Sequence, residues 1–258
     1  LDCRAHLRTS RDEGRTWSKP TLCIPADGYF VTNNDRVVQL KTGRLIVPAS
    51  LHMGSWRENK LVTDFDHRGI AMYFYSDDAG RTWSRSQWHA VGPKVDSGLQ
   101  EPGCVELKRG RLLGYSRTTA GYQYTHTSSD GGVTWTDPAR SWFASPNAPL
   151  SIKRIPATGD LLAVWCDNRT QKKQGIKPTA RSWGRTPLAC AISGNEGKTW
   201  GRVRTLETSA NHGYCYTAIH FTEDDGVLLA YCCGGGRRSH VLQDVRVRKL
   251  SLDWLYGR

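Results

Sequence analysis

The side chains able to do chemistry are spread along the 258 residues rather than bunched. Eight cysteines stand at Cys3, Cys23, Cys104, Cys166, Cys190, Cys215, Cys232 and Cys233. They make no CxxC pair and no zinc spacing, so neither a metal nor another cofactor is expected. Several lie in apolar runs such as GCVEL and LLAVWC, where a thiol is ordinarily buried. His52 closes the run GRLIVPASLH, a place for an acid or a ligand, with a structural histidine as the competing reading. Asp167, Asn168 and Arg169 follow LLAVWC as rim contacts or as a polar turn. They open a long basic loop, 168–186, that either lies in solvent or caps a pocket. Tyr214 and Tyr216 sit two apart in GYCYT, beside His212, and strand alternation would put both rings on one face.

The formal charge of +12 sets a field that favours an anionic partner. The Lys and Arg residues are scattered and form no basic block or known binding motif, so nucleic acid is not expected, and an acidic sugar or polysaccharide fits the charge equally well. No stretch of 18 apolar residues occurs, so no membrane-spanning helix is expected. The chain opens at Leu1 without a Met or a signal-peptide pattern, as if in mid-strand. A missing N-terminal piece is therefore expected.

The elements that must position these residues are announced by two repeats. SRDEGRTW (10–17), SDDAGRTW (76–83), SSDGGVTW (128–135) and SGNEGKTW (193–200) share the pattern S-x-D-x-G-x-T-W, with Asn195 in place of Asp in the last. A short acidic or amide side chain bonds nearby backbone N–H groups, glycine permits positive φ, and the Trp packs under the turn. A second series keeps the same rhythm: RVVQLKTGRLIVPAS (36–50), CVELKRGRLLGYS (104–116), SIKRIPATGDLLAVWC (151–166) and TAIHFTEDDGVLLAYC (217–232). Each reads as strand, turn, strand. Helical periodicity is almost absent.

Four-stranded antiparallel units repeating in this way predict an all-β β-propeller, as one domain over 1–258. Residues 1–22 supply the second half of a blade. Four further units follow at about 30–92, 98–142, 146–206 and 212–256, the last lacking the eight-letter turn. Five units are thus visible, and a six-bladed ring with its first strands missing is preferred over a closed five. A β-sandwich would not explain the paired markers.

The S-x-D-x-G-x-T-W phrase resembles the Asp-box, or BNR repeat, of the sialidase (neuraminidase) superfamily. The stretches between boxes carry the resemblance further. In that family a Glu opens one blade and an Arg closes its second strand; LQEPGCVELKRGRLLGYSR places Glu101 and Arg117 there. A further Arg precedes the strand leading into a box, matched by Arg185 in GRTPLACAIS. The family's catalytic Tyr opens the next blade, matched by Tyr216 in CYTAI.

The resemblance implies an exo-acting sialidase-like glycosidase that removes terminal sialic acid or a related acidic sugar with retention. Tyr216 would be the nucleophile, Glu101 its base, and Arg117 and Arg185 carboxylate clamps. Residue chemistry agrees: planar Arg forks match a carboxylate, which would repel a carboxylate nucleophile but not a tyrosine. The family also has a third clamp Arg and an acid/base Asp from its first blade. Asp2 lies nearest the latter, and the stretch for the former would precede Leu1. Asp35, in TNNDRVV, matches an acidic position of the second blade as a substrate contact or substitute acid, unless it merely pairs with Arg36. Two alternatives stay open. One is a lyase or hydrolase of uronate-containing glycans using His52 with Tyr216. The other is a non-catalytic carbohydrate-binding propeller. The oligomeric state is not legible.

Overall fold

The computed structural model describes residues 3–57, 60–63, 66–92, 94–236 and 240–258; Asp2 lies outside them. Two compact units divide the chain, residues 1–114 with 126–138 and residues 115–125 with 139–258.

The first unit begins with a small hairpin, β1 (His6–Leu7) and β2 (Thr21–Leu22). The following blade comprises β3 (Tyr29–Val31), β4 (Val38–Gln39), β5 (Leu45–His52), β8 (Gly69–Ser76) and β9 (Ser84–Ala90). A side hairpin, β6 (Ser55–Arg57) and β7 (Lys60–Thr63), interrupts it. Its inner strand is split: β3 and β4 both pair with β5, and 32–37 between them leaves the ladder. The next blade is β10 (Gln100–Glu106), β11 (Leu112–Arg117), β12 (Tyr122–Ser128) and β13 (Ala139–Ala144), in that order, and the unit boundary runs through it.

The second unit holds the blade β14 (Ser151–Arg154), β15 (Leu161–Cys166), β16 (Leu188–Ser193) and β17 (Gly201–Glu207). Helix α1 (Asn168–Lys173) follows β15. The last blade has three strands, β18 (Cys215–Phe221), β19 (Gly226–Cys232) and β20 (Val245–Ser251), capped by α2 (Leu252–Tyr256). The four antiparallel sheets thus coincide with the four units expected from the repeats.

Alternating apolar residues make a core in each unit. In the first, Phe30, Val47, Met72 and Phe74 pack together, and Tyr73 stacks on Trp135 at 4.0 Å. In the second, Val164, Cys190, Tyr214, Leu229 and Tyr231 belong to one buried cluster.

The boxes are closed by their own side chains. In the first, the Ser10 hydroxyl donates to Asp12 and accepts from Gly14 N–H, while Asp12 accepts from Thr16 N–H and its hydroxyl. Trp17 Nε1 donates to the Gly14 carbonyl. The second and third boxes repeat this set. In the fourth, Asn195 Nδ2 donates to the Thr199 hydroxyl, so that bond runs the other way. The four Trp side chains differ in burial. Trp135 and Trp200 are buried, but Trp17 is 54% exposed, because a two-stranded hairpin gives an indole little to pack on.

Candidate active site

Three of the sequence-matched residues share a backbone signature. Asp35, Glu101 and Tyr216 have φ of 57°, 46° and 56°. Positive φ is uncommon for any non-glycine residue, costs about 1–3 kcal/mol, and gathers at functional sites.

In the second unit Tyr216 lies on a β-bulge. Cys215 pairs with Cys232 and Ala218 with Ala230, so β18 carries one more residue than β19 across this stretch. The bulge separates two tyrosines that strand alternation would place together. Tyr214 is fully buried and meets Tyr231 edge-on, its pKa pushed up to about 12 mainly by burial. Tyr216 is half-buried instead, with the Arg185 guanidinium 5.8 Å from its ring centre. Of the two rings, Tyr216 is the more open.

Arg185 is buried in the turn before β16. Its N–H donates to the Ser182 carbonyl and its own carbonyl accepts from Tyr214 N–H. Burial alone would lower its pKa; the facing Cys215 and Tyr216 groups more than offset that and raise it. Its Nη1 has no hydrogen-bond partner among the described residues. A buried cation with an uncommitted donor suits an incoming anion. Arg117 ends β11, and Thr118 Oγ1 closes the following turn onto the Tyr122 carbonyl.

In the first unit Glu101 is the second residue of β10 and is 6% exposed. Asn33 Nδ2 donates to Glu101 Oε2 at 3.0 Å, reaching from the gap between β3 and β4. Glu101 N–H donates to Ser50 Oγ, which also contacts His52 Nε2 at 3.3 Å. His52 Nδ1 faces the Asp66 carbonyl at 3.2 Å. The imidazole is buried with both nitrogens engaged, and Ser50 Oγ lies between it and the Glu101 N–H. Asp35 lies in the same gap as Asn33, followed by buried Arg36. Asn33 and Ser50 lie within TNNDRVV and the 36–50 repeat, but their bonds to Glu101 span 68 and 51 residues, which sequence spacing does not reveal.

The remaining candidates have structural duties. Asp167 caps α1, accepting from Arg169 and Thr170 N–H. Arg169 lies over the Trp142 ring and donates to the Trp142 carbonyl. The basic 168–186 loop is ordered by α1 and by Gln171 Nε2 donating to the Thr186 carbonyl. His212 pairs with Ser209. Among the described residues, no helix is long and apolar enough to cross a membrane.

Antiparallel blades closed by four Asp-box turns define the class: a β-propeller of the Asp-box kind. The model of the BNR repeat-like domain matches residues 2–229, and the chain belongs to that family. It is 26% identical over 273 residues to a sialidase of Micromonospora viridifaciens, covering 98% of this chain and 36% of that protein. An intramolecular trans-sialidase from Ruminococcus gnavus, solved with oseltamivir carboxylate, is similar with a TM-score of 0.67. That match has 20% identity and covers 97% of this chain and 50% of the other. A leech intramolecular trans-sialidase gives 0.68 at 21% identity, covering 98% and 37%. The fold is sialidase-like, and the chain spans a third to a half of these relatives' length.

Proposed function

We propose that the protein is a retaining, sialidase-family glycoside hydrolase acting on terminal sialic acid or a related acidic sugar. The observation that carries this reading is the Tyr216 bulge, where a reactive side chain stands at positive φ beside the buried, anion-ready Arg185. Arg185 and Arg117 bind the substrate carboxylate, whose charge disfavours an Asp or Glu nucleophile. Tyr216 attacks the anomeric carbon as the glycosidic C–O bond breaks, and the aglycone leaves as an alcohol after taking a proton from water. A phenol is mostly protonated at neutral pH, so the step needs a base and a nearby cation. The family resemblance assigns that base to Glu101, and the Arg185 guanidinium, 5.8 Å from the Tyr216 ring centre, favours the developing phenolate. Water then hydrolyses the glycosyl-tyrosine intermediate with the anomeric configuration retained. Asp35 is a substrate contact, and His52 supports the Glu101 backbone through Ser50.

The test is hydrolysis of a fluorogenic sialoside by the full-length protein and by Tyr216→Phe. Release that is abolished by the variant supports the reading; equal release by both overturns it. Sialoside binding without turnover in the parent protein would instead favour a carbohydrate-binding propeller.

A further inference from the structure

Tyr216 follows a cysteine whose surroundings the glycosidase reading does not use. Cys215 opens β18 and is the direct cross-strand partner of Cys232 at the end of β19. Directly opposed residues of antiparallel strands have Cα atoms about 4.5–5.5 Å apart, within the range of about 4.4–6.8 Å that a disulfide spans. The Cys215 thiol faces both the Cys232 thiol and the Arg185 guanidinium. All eight cysteines are thiols.

The neighbouring thiols are committed elsewhere. Cys166 donates to the Tyr214 carbonyl, and Cys233 is one residue along the strand from Cys232 and belongs to the core cluster. Access is unequal within the pair: Cys215 is 2% exposed, whereas Cys232 is partly open. Burial holds the Cys232 thiol above its ordinary pKa, while the facing Cys215 thiol and Arg185 pull the other way.

We propose that Cys215 and Cys232 form an oxidisable dithiol that closes reversibly to a disulfide by exchange with a small disulfide, drawing Cys215 Sγ away from Arg185. The Cys232 thiolate attacks one sulfur of the reagent and expels the other as a thiol, giving a mixed disulfide. Cys215 then loses its proton to solvent and attacks the Cys232 sulfur, expelling the second thiol. Two electrons pass to the reagent, one S–S bond breaks and one forms. Oxidation therefore alters the contact between Arg185 and the segment carrying Tyr216. The bond can form whether or not the protein cleaves glycosides.

The experiment is incubation of the native full chain with oxidised glutathione, followed by thiol titration in denaturant and non-reducing peptide mapping. Two of the eight thiols should disappear. The mass should fall by about 2 Da through one Cys215–Cys232 cross-link, with reversal by dithiothreitol. Cys215→Ser should stop at a stable glutathione adduct on Cys232, and Cys232→Ser should leave Cys215 unreacted. An unchanged mass, a lasting adduct on the parent protein, or a cross-link through Cys166 or Cys233 would overturn the proposal, and mapping of the parent chain decides this even if a variant misfolds. Sialoside turnover, followed separately, should fall at least tenfold on oxidation and recover on reduction; turnover unchanged in protein already shown to be cross-linked would overturn the link to Arg185.

Discussion

The outer turns and the inner strand openings of the same blades both hold non-glycine residues at positive φ, for different reasons. In the boxes these are Glu13, Ala79 and Glu196, at 57°, 59° and 61°, with Gly131 at the same position of the third. A glycine follows each, and bonds to Ser, Asp or Asn within four residues hold the turn. The side chain at that position varies from Glu to Ala to Gly without changing the geometry. At the inner openings the strained residues are Asp35, Glu101 and Tyr216. There, on the proposed function, the side chain itself carries the chemistry. The proposed function thus sets strain that serves a frame at one end of the blade against strain that serves a site at the other.

The largest effect that would break this contrast is at Glu101. Glu101→Gln keeps the backbone and the Asn33 contact but removes the base. Sialoside kcat should fall by about 10²–10⁴-fold, the usual worth of a positioned proton acceptor. A loss below threefold would place Glu101 with the frame. Next is Arg185→Lys, which preserves charge and loses the fork. Losing one charge-assisted bond, at about 1.5–3 kcal/mol, should raise KM roughly ten- to hundredfold with a smaller change in kcat. An unchanged KM would remove Arg185 from the carboxylate site.

How far these regions could be read from the sequence follows from how far their bonds reach. The box bonds join residues at most four apart, so the turns were legible in eight letters. The blades followed because two local markers kept one rhythm. Glu101 and Asn33 are 68 residues apart, and only the split inner strand brings them together. Tyr214 and Tyr216 could not be told apart because alternation fails at a bulge that no residue type announces. The exposed indole of Trp17 had the same cause in reverse, a local motif whose packing depends on neighbours.

A third contrast lies within the frame. His126 is buried between Trp88 and Trp135, with Tyr73 Oη 2.7 Å from its Nε2. Gly114 leaves the room, since a Cβ there would sit 2.3 Å from the same nitrogen. Burial pushes the His126 pKa down from 6.5 to about 3. Between those values the unfolded chain binds a proton that the folded chain refuses. The contribution is complete above pH 6.5 and is lost as the pH falls toward 3, at up to about 1.4 kcal/mol per pH unit. Urea unfolding at pH 6.5 and pH 4.5 should therefore show a fall that His126→Phe makes smaller by about 2–3 kcal/mol, even though the variant is less stable at neutral pH. Equal pH dependence in both proteins would show that His126 does not set the acid limit.

The smallest effect tests the frame most directly. Ala79 is exposed, stands at positive φ, and has no side-chain function in its box. Replacing it by glycine removes left-handed strain from the folded state and adds freedom to the unfolded chain, two effects of opposite sign. At an incompatible φ the strain outweighs the entropy, so Ala79→Gly should stabilise by about 0.5 kcal/mol. In a chain of this size that is a rise in Tm of about 1–2 °C, with sialoside turnover unchanged. A lower Tm would mean that the box bonds already relax the backbone at this position, and positive φ would then cease to be a common measure of strain at the two ends of the blade.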